Sequence, residues 1–546
     1  MYTRVKRVKN SNGQFREYLL LVESQRINGK VQQKTVANLG RLDIIQQTNA
    51  ADVLAEKLLE YTQTKRLMDM DQAQAEYSKE YGAIVILRRL WENLGLKEFF
   101  GQHLQQRKYH VDVQECLMAM VINRLMEPKS EYSTVQWLKG VYESRWENLD
   151  VQHFYRAMDF LSEHKADLEK ELFNKTTDLF NQQLDLVMFD TTSIKYWGEG
   201  EADILKHGYS KEKRSDLKQL IVGILMSKDG IPVGCEIFDG NMADVKSFIQ
   251  VIEKLKVRYN IGRMVWVADR GMVSKHNIQK LNEFKQDYIL GVRMRCLNKE
   301  RRKEFLNPKG MFEVKDNLYV KEVYVEGEGR YIVCYNPEEK EKIHNNRKYF
   351  KQHLNKKLAT SSAKDWMVKN AYKKYVDFEG TIEFNEKKLL EESQYDGYWV
   401  LLTNTHLTTE EVALYYKGLW QIEAGFKDLK NDLEVGPIYH FKQERIIAHI
   451  FICFLALLLK TALKKKIMAV DSRASYREVF EAVRKIKAVK LTSGKQEIIF
   501  RTEFEDKAHV AFKALGVAPP PKIIFYNKGK NVVSRPEGSV KCSSTK

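Results

Sequence analysis

The chain has 546 residues, of which 43% are hydrophobic and 30% charged. That balance excludes a disordered chain, and the length predicts three or four domains of about 150 residues each. With 90 Lys and Arg against 73 Asp and Glu, the formal charge is +17, which favours a polyanionic partner: nucleic acid or an acidic membrane surface. The six cysteines lie far apart with no C-x-x-C pair, so neither a zinc ribbon nor a disulfide framework is expected. MYTRVKRVKN at the start has no apolar core and does not read as a signal peptide.

In chain order, residues 1–42 carry nine basic side chains and two acids, a net +7. Two strand-like runs, 16–23 and 30–39, flank Asn28-Gly29 and predict a basic β-hairpin. Arg4, Lys6 and Arg7 are candidate DNA contacts, although a solvated hairpin with ordinary surface lysines fits as well. Residues 51–175 read as helical, with apolar positions at i, i+3 and i+4 in AIVILRRLWENLGL (83–96) and VQECLMAMVINRLM (113–126).

The pattern changes at residue 184. LDLVMFD (184–190), LIVGILMS (220–227) and IPVGCEIF (231–238) are strands, the last two joined by a turn at Lys228-Asp229-Gly230. An amphipathic helix (244–259) and a further strand, MVWVADRG (264–271), follow. The order is α/β-like. From 296 to 395 the alternation stops, and strand-like runs precede a lysine-rich helical stretch; this predicts an insertion into the α/β core. GYWVLLTN (397–404) resumes the core, a long helix is expected over 409–433, and a buried helix over 444–463. The most apolar run, 446–459, has 14 residues, short of the roughly 20 that span a bilayer, so no membrane association is expected.

Two core strands run into aspartate, Asp190 and Asp269. Carboxylates at adjacent strand ends repel and are desolvated by the sheet. A shared divalent cation relieves both problems, and oxygen-only ligation suits magnesium or manganese. Either aspartate alone reads equally as a turn starter. A third acid is expected from a neighbouring helix. In YKGLWQIEAGFKDLK (416–430), Tyr416, Leu419, Glu423 and Lys430 fall on one face, while Leu414, Leu419, Ile422, Phe426 and Leu429 form the packing face. Glu423 is the candidate; spacing leaves Asp428, Asp432 and Glu434 open as rivals. Trp420 reads as core, and Trp197 as either core or a stacking surface. His207 and His440 have no second histidine at metal spacing, so solvent-facing or hydrogen-bonding roles are expected for them.

LVMFDTTSIKYWG, GYSKEKRSDLKQLIVGILMSKDGIPVG, VWVADRGMVS and YYKGLWQIEAGFKDLKNDLEVGPIYHF together resemble the DDE transposases of bacterial insertion sequences. More narrowly they are similar to the insertion-sequence-four superfamily, in the branch whose N-terminus reads like YLLLVESQRINGKVQQKTVANLGRLD (18–43). The resemblance spans roughly residues 15–460. It implies an RNase H-like catalytic core with a β-rich insertion before the last acidic helix, preceded here by the basic β-hairpin and a helical N-terminal domain. The expected division is 1–50, 51–180, 181–295 (core, first part), 296–395 (insertion), 396–465 (core, second part) and 466–546.

The resemblance implies phosphodiester hydrolysis at the element's ends, followed by strand transfer into target DNA. Asp190 would bridge two Mg2+ or Mn2+ ions, with Asp269 and Glu423 each completing one site. Tyr416 and Lys430 would hold terminal phosphates, and Arg270 would also contact DNA. The basic loop 206–218, with Lys211, Lys213, Arg214 and Lys218, would track the backbone, though a solvated loop fits as well. The family's helix signature has arginine where this chain has Leu419; Lys417 and Lys427 are candidate substitutes. Expected partners are double-stranded DNA, both terminal inverted repeats and target, and a second copy of the chain on DNA. The expected location is the bacterial cytoplasm at the nucleoid. A catalytically inactive DNA-binding relative and a stand-alone nuclease of the same core are the alternatives.

Overall fold

A computed structural model describes residues 2–9, 12–27, 30–48, 73–104, 111–179, 186–208, 216–259, 264–315, 317–358, 376–377, 383–493 and 496–527. Two compact units divide the chain: Met1–Ser78 with Ala488–Thr502 and Pro521–Lys546, and Lys79–Lys487 with Glu503–Pro520.

The first unit opens with a three-stranded antiparallel meander, β1 (Tyr2–Lys9), β2 (Phe15–Ile27) and β3 (Lys30–Arg41). The expected hairpin is β2–β3, and its turn lies outside the described residues. The sequence reading missed β1, which pairs with β2 from Tyr2↔Val22 to Lys9↔Phe15. Every β1 residue is exposed, so β1 carries no apolar stripe. Alternation with an apolar face was the signal sought, and β1 lacks it. Residues 74–80, expected within the helical region, instead form a further strand, β4 (Gln74–Glu80), which pairs in a sheet with strands from the far end of the chain.

The second unit holds helices Gly82–Asn93, Leu96–Leu104, Val113–Met126, Glu131–Leu138, Val151–Glu163 and Lys165–Leu179, as the apolar periodicity predicts. Residues 51–72 lie outside the described ones. After these helices come β5 (Leu186–Lys195), β6 (Gln219–Ser227), β7 (Pro232–Asp239), β8 (Val265–Ala268) and β9 (Asp287–Val292). β5, β8 and β9 are parallel, β6 pairs antiparallel with β5, and β7 pairs antiparallel with β6. These strands read as near-continuous apolar runs because both sheet faces are covered. Leu186 and Met188 point into one core with Ile422 and Phe426. Val187 and Phe189 point into the other with Phe248 of helix Asp244–Tyr259.

Strands β10 (Phe312–Lys315), β11 (Leu318–Val325) and β12 (Gly329–Tyr335) do not form a sheet of their own. After the two-residue strands β13 (Val376–Asp377) and β14 (Glu383–Phe384), β15 (Tyr398–Thr403) pairs with both β12 and β9. The result is one nine-stranded sheet, β10-β11-β12-β15-β9-β8-β5-β6-β7. The lysine-rich stretch contributes helix Pro337–Leu358.

The expected apolar helix is longer than its 14-residue core, running Gln443–Val470. Its length and composition would let it cross a membrane. Ile446–Leu459, apart from Ile447, is instead buried against helices Val113–Met126 and Val151–Glu163 and strand β7. In the first unit β16 (Lys487–Ser493), β17 (Gln496–Arg501) and β18 (Ile523–Asn527) form a sheet ordered β18-β17-β16-β4. Helix Tyr476–Arg484 and helix Asp506–Leu515 belong to the second unit.

Candidate active site

Asp190 lies within β5, not at its end as the sequence reading has it. The parallel β5–β8 ladder closes at Phe189↔Ala268, so the next residue on each strand is an aspartate, Asp190 and Asp269. Neighbouring strands are about 4.8 Å apart, which sets the two residues side by side. Asp190 follows the alternation of Leu186 and Met188 toward the face that packs against Ile422 and Phe426.

The expected continuous helix over 409–433 is broken. Thr408 caps Thr409–Lys417 in a capping box with Glu411. The chain then tightens at Gly418, where Leu419 bonds back to the Tyr416 carbonyl and Gln421 to the Gly418 carbonyl. A Cβ at Gly418 would stand 2.9 Å from the Tyr415 carbonyl and 3.2 Å from Met188 Sδ, so glycine lets this turn lie against β5. Helix Trp420–Lys427 follows, then a π turn over Asp428–Asp432.

Asp190, Asp269 and Glu423 line one cleft of about 1200 Å³, together with Arg270, Tyr416, Lys417, Leu419 and Trp420. Lys427 and Lys430 do not line it. Lys430 lies within the π turn, where the 3.6-residue spacing that put it on the Tyr416–Glu423 face no longer holds. Of the rival acids, Asp428 and Asp432 pair with Lys460 at 3.0 and 2.5 Å. Glu434 adopts φ +45° and offers its carbonyl to Arg124.

Tyr416 donates its hydroxyl to Asp269 Oδ1 at 2.8 Å. Burial, then the Asp269 charge, push the phenol's pKa up, so it stays a proton donor. Gly291 on β9 makes room for it: a Cβ there would collide with the Tyr416 hydroxyl and stand 3.0 Å from Arg270 N. Asp190 Oδ1 accepts from the Thr191 N–H at 2.7 Å.

Residues 181–459 match the transposase DDE domain, and residues 3–69 match the N-terminal domain of the IS1634 family transposases. The chain belongs to the insertion-sequence DDE transposases. No curated protein matches it. Among solved structures it is similar to a piggyBac transposase synaptic complex with hairpin DNA. There the identity is 7%, the TM-score 0.37, and the match covers 74% of this chain and 79% of that one.

Other expected contacts of the transposase are dispersed. Lys218 gives its ammonium to the Gly200 carbonyl at 2.9 Å. Lys211, Lys213 and Arg214 lie outside the described residues. Arg4, Lys6 and Arg7 are exposed on β1 in the other unit, where Arg7 lies 5.1 Å over the Phe15 ring. Leu414, expected in the core, is exposed, and Trp420 is 58% exposed on the cleft.

The sequence reading missed the cationic side of the cleft. Arg293 and Arg295 directly follow β9 and line it, as do Arg347 and Trp399. Arg347 forms a buried pair with Asp396, its Nη2 donating to Oδ1 at 2.6 Å. Arg295 pairs with Glu392 at 2.8 Å. The detectable signal is the R-x-R step immediately after an apolar strand.

His440 takes the hydrogen-bonding role expected of it, with a second histidine beside it. It is buried and lies 3.1 Å from Glu131 Oε2, and His449 Nδ1 lies 3.6 Å from Glu131 Oε1. The partner histidine is nine residues away in sequence, too far for a ligand-spacing search. These three groups have donor atoms within 4.8 Å of one another. The Arg124 guanidinium, however, lies 3.4 Å from His449 Nδ1 and 3.8 Å from Glu131 Oε1, so a cation already faces Glu131. His449 Nε2 donates to the Val435 carbonyl at 3.0 Å, which leaves Nδ1 as the acceptor. The cluster is an ion-pair network rather than a metal centre.

Proposed function

We propose that this DNA transposase cleaves the ends of its element and joins them to target DNA with Asp190, Asp269 and Glu423 as its metal ligands. The sheet segment β7-β6-β5-β8-β9 supports an RNase H-like reading of the core, extended on the β9 side by β15 and β10–β12. The observation that carries the proposal is the ladder step past Phe189↔Ala268, which puts two aspartates beside each other on the cleft that Glu423 also lines.

The donor set is oxygen only and partly exposed, which suits Mg2+ or Mn2+. Among the described residues, the three carboxylates are not one of the sets that close to within 4.8 Å. The family resemblance implies two ions, which Asp190, Asp269 and Glu423 would hold. Bound divalent metal would lower the pKa of the attacking oxygen's proton and neutralise charge on the leaving one. The chain's own contribution is positional. Tyr416 orients Asp269 through its hydroxyl, and Arg270, Arg293 and Lys417 supply positive charge along the cleft for backbone phosphates. Lys417 and Arg293 take the place of the absent arginine at Leu419. Joining two DNA ends calls for two active sites, so a homodimer on DNA is the working assembly.

The test combines purified protein, DNA carrying the element's terminal repeats, and Mg2+. Cleavage is expected from the wild type and lost in Asp190→Ala, Asp269→Ala and Glu423→Ala. Cleavage persisting in Asp190→Ala would sink the assignment. Transfer of the cut end to a target plasmid separates a transposase from a simple nuclease.

A further inference from the structure

Asp190 and Asp269 belong to different strands, so their separation depends on whatever ties β5 to the turn after β8. Both ties lead to the start of helix Asp244–Tyr259. Thr191 points to the sheet face opposite Asp190 by strand alternation and is buried. Its hydroxyl donates to Asp244 Oδ1 at 2.7 Å, while its N–H holds Asp190 Oδ1 at 2.7 Å. On the other strand, Met272 N–H closes the turn onto the Asp269 carbonyl at 2.9 Å. The Met272 carbonyl accepts from Asn277 Nδ2 at 2.7 Å, and the same amide gives its second hydrogen to the Val245 carbonyl at 2.8 Å. Two carbonyl acceptors require the amide nitrogen at that position. Asn277 is 1% exposed. A Cβ at Gly271 would stand 3.8 Å from Asp244 Oδ2, so this carboxylate is also close to the turn after Asp269.

We infer that Asp244 and Asn277 are positioning residues that hold the Asp190 strand and the Asp269 turn in one frame and thereby set the site's affinity for divalent metal. The inference rests on the reading of the two aspartates as metal ligands. Neither positioning residue lines the cleft, so neither acts on the DNA directly. The physical reason is preorganisation. Two carboxylates side by side repel without a cation, and strands free to shift would relax apart and would have to be brought back together on each binding event. Losing a group that orients a metal ligand typically costs 10- to 100-fold in metal affinity.

Two readouts test this: Mn2+ binding to the DNA-free protein by titration calorimetry, and cleavage of terminal-repeat DNA as a function of Mg2+. Thr191→Val removes the hydroxyl at constant shape and should weaken Mn2+ binding about tenfold, with a matching rise in the half-saturating Mg2+. Half-saturation by DNA should stay unchanged. Thr191→Ser should restore wild-type binding. Asp244→Ala should repeat the loss, and Asp244→Asn, whose amide oxygen still accepts from Thr191, should not. Circular dichroism reports folding; if Thr191→Val fails to fold, Asp244→Ala carries the test. Wild-type Mn2+ affinity in folded Thr191→Val and Asp244→Ala overturns the inference. Failure of the ligand assignment shows separately, as undiminished Mn2+ binding by Asp190→Ala.

Discussion

Tyr416 and Gly291 act as one device at the residue scale. The hydroxyl reaches Asp269 only because Gly291 has no side chain. A hydrogen bond to a charged group contributes about 1.5–3 kcal/mol, and Asp269 is exposed to water, which favours the low end. Tyr416→Phe should therefore slow cleavage about tenfold with an unchanged melting temperature, measured by single-turnover kinetics and calorimetry. Gly291→Ala overpacks the same spot. A cost of about 1–3 kcal/mol predicts a lower melting point together with the same or a larger loss of rate. Seen from the residues alone, a tyrosine seven positions before the glutamate signalled a shared face, but its partner on a distant strand carried no local mark.

Among elements, the contact of helix Glu131–Leu138 with helix Gln443–Val470 turns on a buried charge network. Burial alone would raise the Glu131 pKa, but the hydrogen bond with His440 leads the contacts that outweigh it and hold the carboxyl well below its ordinary range. Burial, then Arg124, push the His449 pKa down. The sign for each follows from linkage. Unfolded His449 takes up a proton below about pH 6.5 that the folded chain refuses, so stability falls as pH drops through that value. Glu131 adds a second loss below about pH 4.3, where the unfolded carboxylate protonates first. A calorimetric series from pH 7.5 to 5.5 should show a falling melting temperature, and His449→Gln should flatten that trend. Arg124→Met leaves Glu131 without its guanidinium and should destabilise by about 3–5 kcal/mol in denaturant unfolding. The first helix falls in the stretch 51–175 expected to be helical, and the second was marked by its apolar run. The network joining them was not predictable, since its members lie hundreds of residues apart in sequence.

For the whole molecule, part of the +17 excess lies on an exposed basic strand in one unit, whereas the cleft in the other is lined by cations and carboxylates in balance. DNA binding should weaken with salt in proportion to the phosphates contacted. Replacing Arg4, Lys6 and Arg7 together with glutamine should reduce the slope of log K against log[salt] by about 0.9 for each lost phosphate contact, leaving cleavage of bound DNA intact. A chelator should stop cleavage and leave DNA binding in place, read by gel shift at fixed ionic strength.

By itself the sequence determined most of the core strands and helices, the buried apolar helix, the turn between β6 and β7, and the two aspartates at the core strands. Each of these is written in local periodicity or in a residue's intrinsic chemistry. Tertiary structure decided the rest. It joined β10–β12 to the core sheet through β15, broke the acidic helix at Gly418, and placed Lys430 in a π turn off the lining of the cleft. It also brought arginines from after β9 and from helix Pro337–Leu358 to the cleft. These outcomes depend on register and on close approach between distant segments: which residue follows Phe189↔Ala268 across a ladder, or which side chain fills the space a glycine leaves. No window along a single chain contains both partners of such a contact.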